Sequence, residues 1–129
     1  MAEPFDPTGG RTGLARRLAS VGHSVRGIWV AMRGEFHMQA HAVATMVVIG
    51  LGFYYQLARL EWALVALAIT GVWVAELLNT ALEALTDLVS PGFHPLAGKA
   101  KDIAAGAVLL AALGAVAVGL LVFGPKVFS

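Results

Sequence analysis

Three apolar runs, at residues 38–57, 62–85 and 103–123, constrain this chain more than any other feature, because about 20 apolar residues in a helix cross the hydrocarbon core of a bilayer. Backbone groups in lipid find no water to bond, so runs of this length fold as helices whose hydrogen bonds close within the segment. Composition points the same way. Hydrophobic residues make up 58% of the chain and charged residues 13%, and mean hydropathy is +0.76, far from a soluble domain. Only Ala58-Arg59-Leu60-Glu61 separates the first two runs. That leaves room for a turn, so the first two spans are expected to run antiparallel, with Tyr54, Tyr55 and Trp62 as an aromatic belt beside it. Gly106, Gly114, Gly119 and seven alanines make up nearly half of the third run, the composition of a closely packed helix interface. Three short spans have little interior of their own, and oligomerisation is expected. A net charge of +1 gives no overall basic balance for nucleic acid, and the absence of Cys removes disulfides, thiolate metal sites and a cysteine nucleophile.

Ahead of the spans, residues 1–10 hold Pro4, Pro7, Gly9, Gly10 and two acids, without the basic start of a signal peptide, and read as a disordered tail. The pattern changes at Arg11. Over residues 11–34, Leu14, Leu18, Val21, Val25, Ile28, Trp29 and Met32 fall within about 100° of one another at helical spacing. Arg16, His23 and Arg26 lie opposite, so the segment is expected to be an amphipathic helix lying in the membrane interface. Packing on a soluble core is the alternative, and little else here forms such a core. Gly34 and Glu35 close this helix before the first span.

The second run carries the polar residues that such a segment does not carry idly. Glu76, Asn79, Thr80, Glu83 and Asp87 fall within about 100° of arc on a helix that is otherwise Leu and Ala. At about 1.5 Å per residue, Glu76 lies roughly 21 Å from Trp62, inside the membrane but near its far boundary, and Glu83 and Asp87 fall at or beyond that boundary. An ionisable residue at that depth is a functional-site hypothesis by default. Basic residues name the side: Arg11, Arg16, Arg17, Arg26, Arg33, Lys99 and Lys101 are on the side where the stripe emerges, against Arg59 and Lys126 on the other. The positive-inside rule puts the N-terminus and the carboxylates in the cytoplasm. The segment Val89 to Asp102, with two prolines and two glycines, reads as a loop presenting Lys99, Lys101 and Asp102. Its lysines suit a phosphate, and positive-inside anchoring accounts for them equally well. His37 and His41 are four residues apart, but no third ligand sits at suitable spacing, so they read as polar caps at the mouth of the first span and not as a metal pair.

Carboxylates at an aqueous boundary, lysines opposite and a deeper carboxylate resemble the parts of a phosphoryl-transfer site: oxygen ligands for Mg²⁺, cations for phosphates, and a base for the nucleophile's proton. A base as deep as Glu76 serves a hydroxyl that stays in the membrane. No Walker loop and no protein-kinase loop is present. A small proton- or ion-coupled transporter also uses an intramembrane Glu, but has no need of Lys-x-Lys-Asp. A purely structural membrane subunit leaves the carboxylates without a role.

Two blocks, Glu76-Leu-Leu-Asn-Thr-Ala-Leu-Glu83-x-x-x-Asp87 and Phe93-His-Pro-Leu-Ala-Gly-Lys-Ala-Lys101-Asp102-Ile-Ala-Ala-Gly-Ala-Val, resemble the prokaryotic diacylglycerol kinase and undecaprenol kinase family. The likeness covers roughly residues 14–123. It implies an all-α integral membrane protein of the bacterial cytoplasmic membrane, with a surface helix and three spans per chain, forming homotrimers with active sites between subunits on the cytoplasmic side. The implied activity is transfer of the γ-phosphate of MgATP to the hydroxyl of diacylglycerol or undecaprenol. Carried over by residue, Glu76 is the base and Asn79 supports it. Glu35 and Glu83 hold Mg²⁺ with the ATP phosphates, Lys101 and Asp102 contact the nucleotide, Gly92, Phe93 and His94 line adenine and ribose, Arg16 and His23 complete the ATP contacts, and Asp87 supports the site. Against the Gram-positive pattern Glu-x-Asn-Phe-Arg-Ile-His, Glu35 and His41 match while His37 and Gln39 depart. The form of Asn79-Thr80-Ala81 and His94-Pro95-Leu96-Ala97 looks more like the undecaprenol-preferring branch.

Overall fold

The computed structural model describes residues 13–129, and over these the chain is helical almost throughout: α1 (Gly13–Gly34), α2 (Phe36–Tyr54), α3 (Arg59–Val89) and α4 (Pro95–Val127). The tail expected over 1–10, and Arg11, lie outside the described residues. Each of α2, α3 and α4 is long and apolar enough to cross a membrane. The amphipathic pattern of α1 is not spent inside the chain: Leu14, Leu18, Val21, Val25 and Trp29 are all exposed, and the helix has no buried residue. A helix with one such face uncovered requires lipid or another chain against it.

The turn between α2 and α3 falls at residues 55–58, not at 58–61 as the apolar runs suggested. Local bonding explains the shift. Glu61 Oε1 accepts from the Ala58 backbone N–H at 3.0 Å, so Arg59, Leu60 and Glu61 form the first turn of α3 instead of a connection. On the other side, the Leu57 N–H reaches back to Gly52 O and the Gln56 N–H to Phe53 O, which closes α2 as a Schellman motif. That motif puts Gln56 in the left-handed region, with φ 52°. It also swings Leu57 inward, onto Val65 and Val122, with Val48, Trp62, Ile69, Val118 and Phe123 around them. Gly52 is required here, since a Cβ on it would stand 2.5 Å from the Trp62 ring.

The α3–α4 connection is shorter than expected. Helix α4 begins at Pro95, so Lys99, Lys101 and Asp102 stand on a helix, not on a loop. Pro95 is pre-set for a first helical position, and His94 Nδ1 accepts from the Leu96 N–H at 3.1 Å as its cap. The long antiparallel pair is tied at both ends, by Lys101 to Asp87 at 2.6 Å and by Lys126 to Glu61 at 3.2 Å. With 31 residues α3 runs about 46 Å, so its last turns extend beyond any hydrocarbon core. The apolar cluster packs the end of the molecule near the α2–α3 turn. The carboxylates sit toward the other end.

Candidate active site

Glu76 is the one charged side chain buried among the described residues, 7% exposed. Its Oε1 lies 2.7 Å from His41 Nε2 on α2. Burial of a carboxylate costs several kcal/mol unless it is hydrogen-bonded, and this contact is what meets that need. One helical turn further along α2, Thr45 Oγ1 donates to His41 O at 2.7 Å and accepts from Trp73 Nε1 at 2.9 Å. Residues 41 and 45 share a face of α2, and 73 and 76 a face of α3, so two polar contacts lock the antiparallel register at this depth. His41 is thus more than the polar cap that its position at the mouth of the span suggested. The sequence carried only a coarse sign of this: counting back from the turn at 55–58 puts residue 41 opposite residue 72, about one helical turn short of Glu76, too loose a match to name the pair.

Further along α3, Asn79 Nδ2 donates to Glu83 Oε1 at 3.3 Å, and Asn79 Oδ1 is buried without a hydrogen-bond partner. Both Asn79 and Glu83 are half-buried. Glu35 occupies the N-cap position of α2, also half-buried, and its side chain makes no capping bond. At this end of the molecule, then, uncommitted oxygen atoms come from two elements, although no three His, Asp or Glu residues gather into one cage among the described residues.

At the exposed rim, Lys101 donates to Asp87, and that carboxylate holds the ammonium above the ordinary lysine range. At the opposite end, the Ala58 N–H and then Lys126 hold Glu61 below the ordinary carboxylate range. Gly92, Phe93, His94 and Asp102 are exposed. The His94 Nδ1 is engaged as the cap of α4, which leaves its Nε2 edge for contacts. Arg16 and His23 stand exposed on α1, and neither bonds to a carboxylate among the described residues. The contacts therefore join Glu76 to His41, Asn79 to Glu83 and Asp87 to Lys101, while Glu35, Arg16, His23 and the residues 92–94 remain separate from them. A groove of about 360 Å³ runs beside the Glu76 pair between α2, α3 and α4, with His41, Thr45 and Trp73 as its polar lining and Val48, Ile69, Ala112 and Val116 among its apolar walls.

Comparison with known proteins gives this arrangement a setting. Residues 22–123 match the model of the family described as prokaryotic diacylglycerol kinase. Over 116 residues the chain is 45% identical to the undecaprenol kinase of Bacillus subtilis, covering 90% of this chain and 94% of that one. Its identity to the diacylglycerol kinase of Pseudomonas aeruginosa is 37% over 105 residues, covering 81% and 85% of the two chains. Against the diacylglycerol kinase of Escherichia coli K12 it is 30% over 105 residues, covering 81% and 86%. Nothing in these likenesses supports a transporter. The matched region takes in α2, α3 and nearly all of α4, with Glu76, its partner His41 and the Asn79–Glu83 pair, and the chain belongs to the prokaryotic diacylglycerol kinase family.

Proposed function

We propose that this chain is a membrane lipid kinase in which Glu76 takes the proton from the hydroxyl of a lipid alcohol as that oxygen receives the γ-phosphate of ATP. The observation that carries the reading is the placement of one buried carboxylate beside an apolar groove, below a polar rim with a lysine. A base so placed meets a hydroxyl whose hydrocarbon stays in lipid, and exclusion of water directs transfer to that hydroxyl. Asn79 holds Glu83 in place through its amide N–H. Lys101 and Asp102 meet the nucleotide, with Gly92, Phe93 and His94 against its base and sugar and Arg16 and His23 reaching it from α1. Lys101 is tied to Asp87 in the free chain, but an exposed ion pair is weak, and phosphate competes readily for the lysine.

The donor set fits magnesium: carboxylate oxygens of Glu35 and Glu83 from two elements, with few protein ligands, suit a hard cation that draws the rest of its shell from phosphates and water. When bound, magnesium neutralises charge on the phosphates. The N-terminus and carboxylates face the cytoplasm of a bacterial inner membrane, by the seven basic residues on that side. We read the assembly as a homotrimer with sites between subunits, since the chain leaves α1 uncovered and its site residues in separate groups.

Undecaprenol is the substrate we favour, supported by the higher identity to an undecaprenol kinase, 45%, than to diacylglycerol kinases at 39%, 37% and 30%. Apolar grooves discriminate weakly, about 1–3 kcal/mol per methylene at most, so some activity on both lipids is expected. Purified protein in mixed micelles with labelled ATP, Mg²⁺ and each lipid decides it. Label is expected in lipid, with kcat/KM for undecaprenol at least equal to that for diacylglycerol. A tenfold or greater preference for diacylglycerol overturns the substrate choice, and no label in either lipid overturns the kinase.

A further inference from the structure

A buried carboxylate that serves as a base must keep one oxygen directed at its substrate. Glu76 is 7% exposed and makes one side-chain contact, from Oε1 to His41 Nε2 at 2.7 Å. Its Oε2 has no such partner among the described residues. His41 in turn is not free to wander. Its carbonyl accepts from Thr45, and Thr45 is fastened to Trp73 on the helix that carries Glu76. These three contacts, with the turn of α3 from Trp73 to Glu76, close a ring between α2 and α3. The imidazole lines the groove beside the pair and its side chain is 28% exposed, so it faces the space a lipid headgroup would enter.

We propose that His41 is the positioning residue of the reaction: its Nε2–H donates to Glu76 Oε1, fixes the orientation of the carboxylate, and leaves Oε2 as the atom that accepts the lipid hydroxyl proton. This rests on Glu76 being the base. The donor is charge-assisted once the carboxylate is ionised, which makes it stronger than a neutral contact. The Thr45–Trp73 link supplies the rigidity, because a hydrogen bond orients a base only as well as its donor is itself held. A purely structural role for His41, as a polar bridge between helices, predicts a loss of stability. It predicts no selective loss in the chemical step.

The test compares His41→Leu with His41→Gln in mixed micelles with ATP, Mg²⁺ and undecaprenol. Leu keeps bulk but has no donor, and kcat is expected to fall about 100-fold, the scale of a misaligned reacting group, with KM for ATP unchanged. Gln keeps an N–H donor and is expected to restore kcat to within about tenfold of wild type. Equal losses in both variants, or wild-type kcat in the Leu variant, overturn the assignment. Should the Leu variant fail to fold, isotope-labelled histidine in the wild-type protein reads the pair directly by NMR. A proton on His41 Nε2 is expected, and an unprotonated Nε2 overturns the proposal. Label transfer by the wild-type protein in the same micelles separates failure here from failure of the kinase reading.

Discussion

Glu83 shares an oxygen with the Asn79 amide at 3.3 Å, and Glu35 leaves its carboxylate without a capping role at the start of α2. If the two jointly hold one hard cation, removing either charge weakens the metal without removing the base. Glu35→Gln and Glu83→Gln are each expected to raise the Mg²⁺ concentration for half-maximal rate and to cut turnover. A metal titration unchanged in both variants takes them out of the metal site. At this scale the candidate carboxylates were legible because each is a costly residue in an apolar setting. The His41–Glu76 contact was not legible, since a His at the mouth of a span has several ordinary uses and its partner is 35 residues away in sequence.

At the scale of elements, the apolar runs located three of the four helices, and the amphipathic period located the other. What they did not locate is where helices stop, because backbone and side-chain hydrogen bonds decide that. Glu61 extended α3 backward onto Ala58, and His94 with Pro95 started α4 well ahead of its apolar run. Gln56 is the strained point of this level. A left-handed conformation costs a residue with a Cβ about 1–2 kcal/mol, a cost glycine escapes. Gln56→Gly is therefore expected to raise the thermal midpoint of the micelle-solubilised protein, by an amount equivalent to about 1 kcal/mol, with kcat unchanged. A lowered midpoint contradicts the account of the turn.

The whole molecule is loosely filled. Its apolar cluster lies by the α2–α3 turn, α1 shows its apolar face to the outside, and the candidate site residues stand in separate groups. In the proposed homotrimer, copies of the chain bring those groups together, and a mass measurement in micelles is expected to find three chains. A fully active monomer contradicts the shared site. The central claim is that a buried glutamate performs base catalysis on a lipid alcohol. Glu76→Gln keeps the shape and a hydrogen-bonding amide but accepts no proton. Single-turnover transfer of labelled γ-phosphate to lipid, with nucleotide binding measured on the same sample, is predicted to fall about 100-fold or more while binding is unchanged. Near-wild-type transfer by that variant contradicts it.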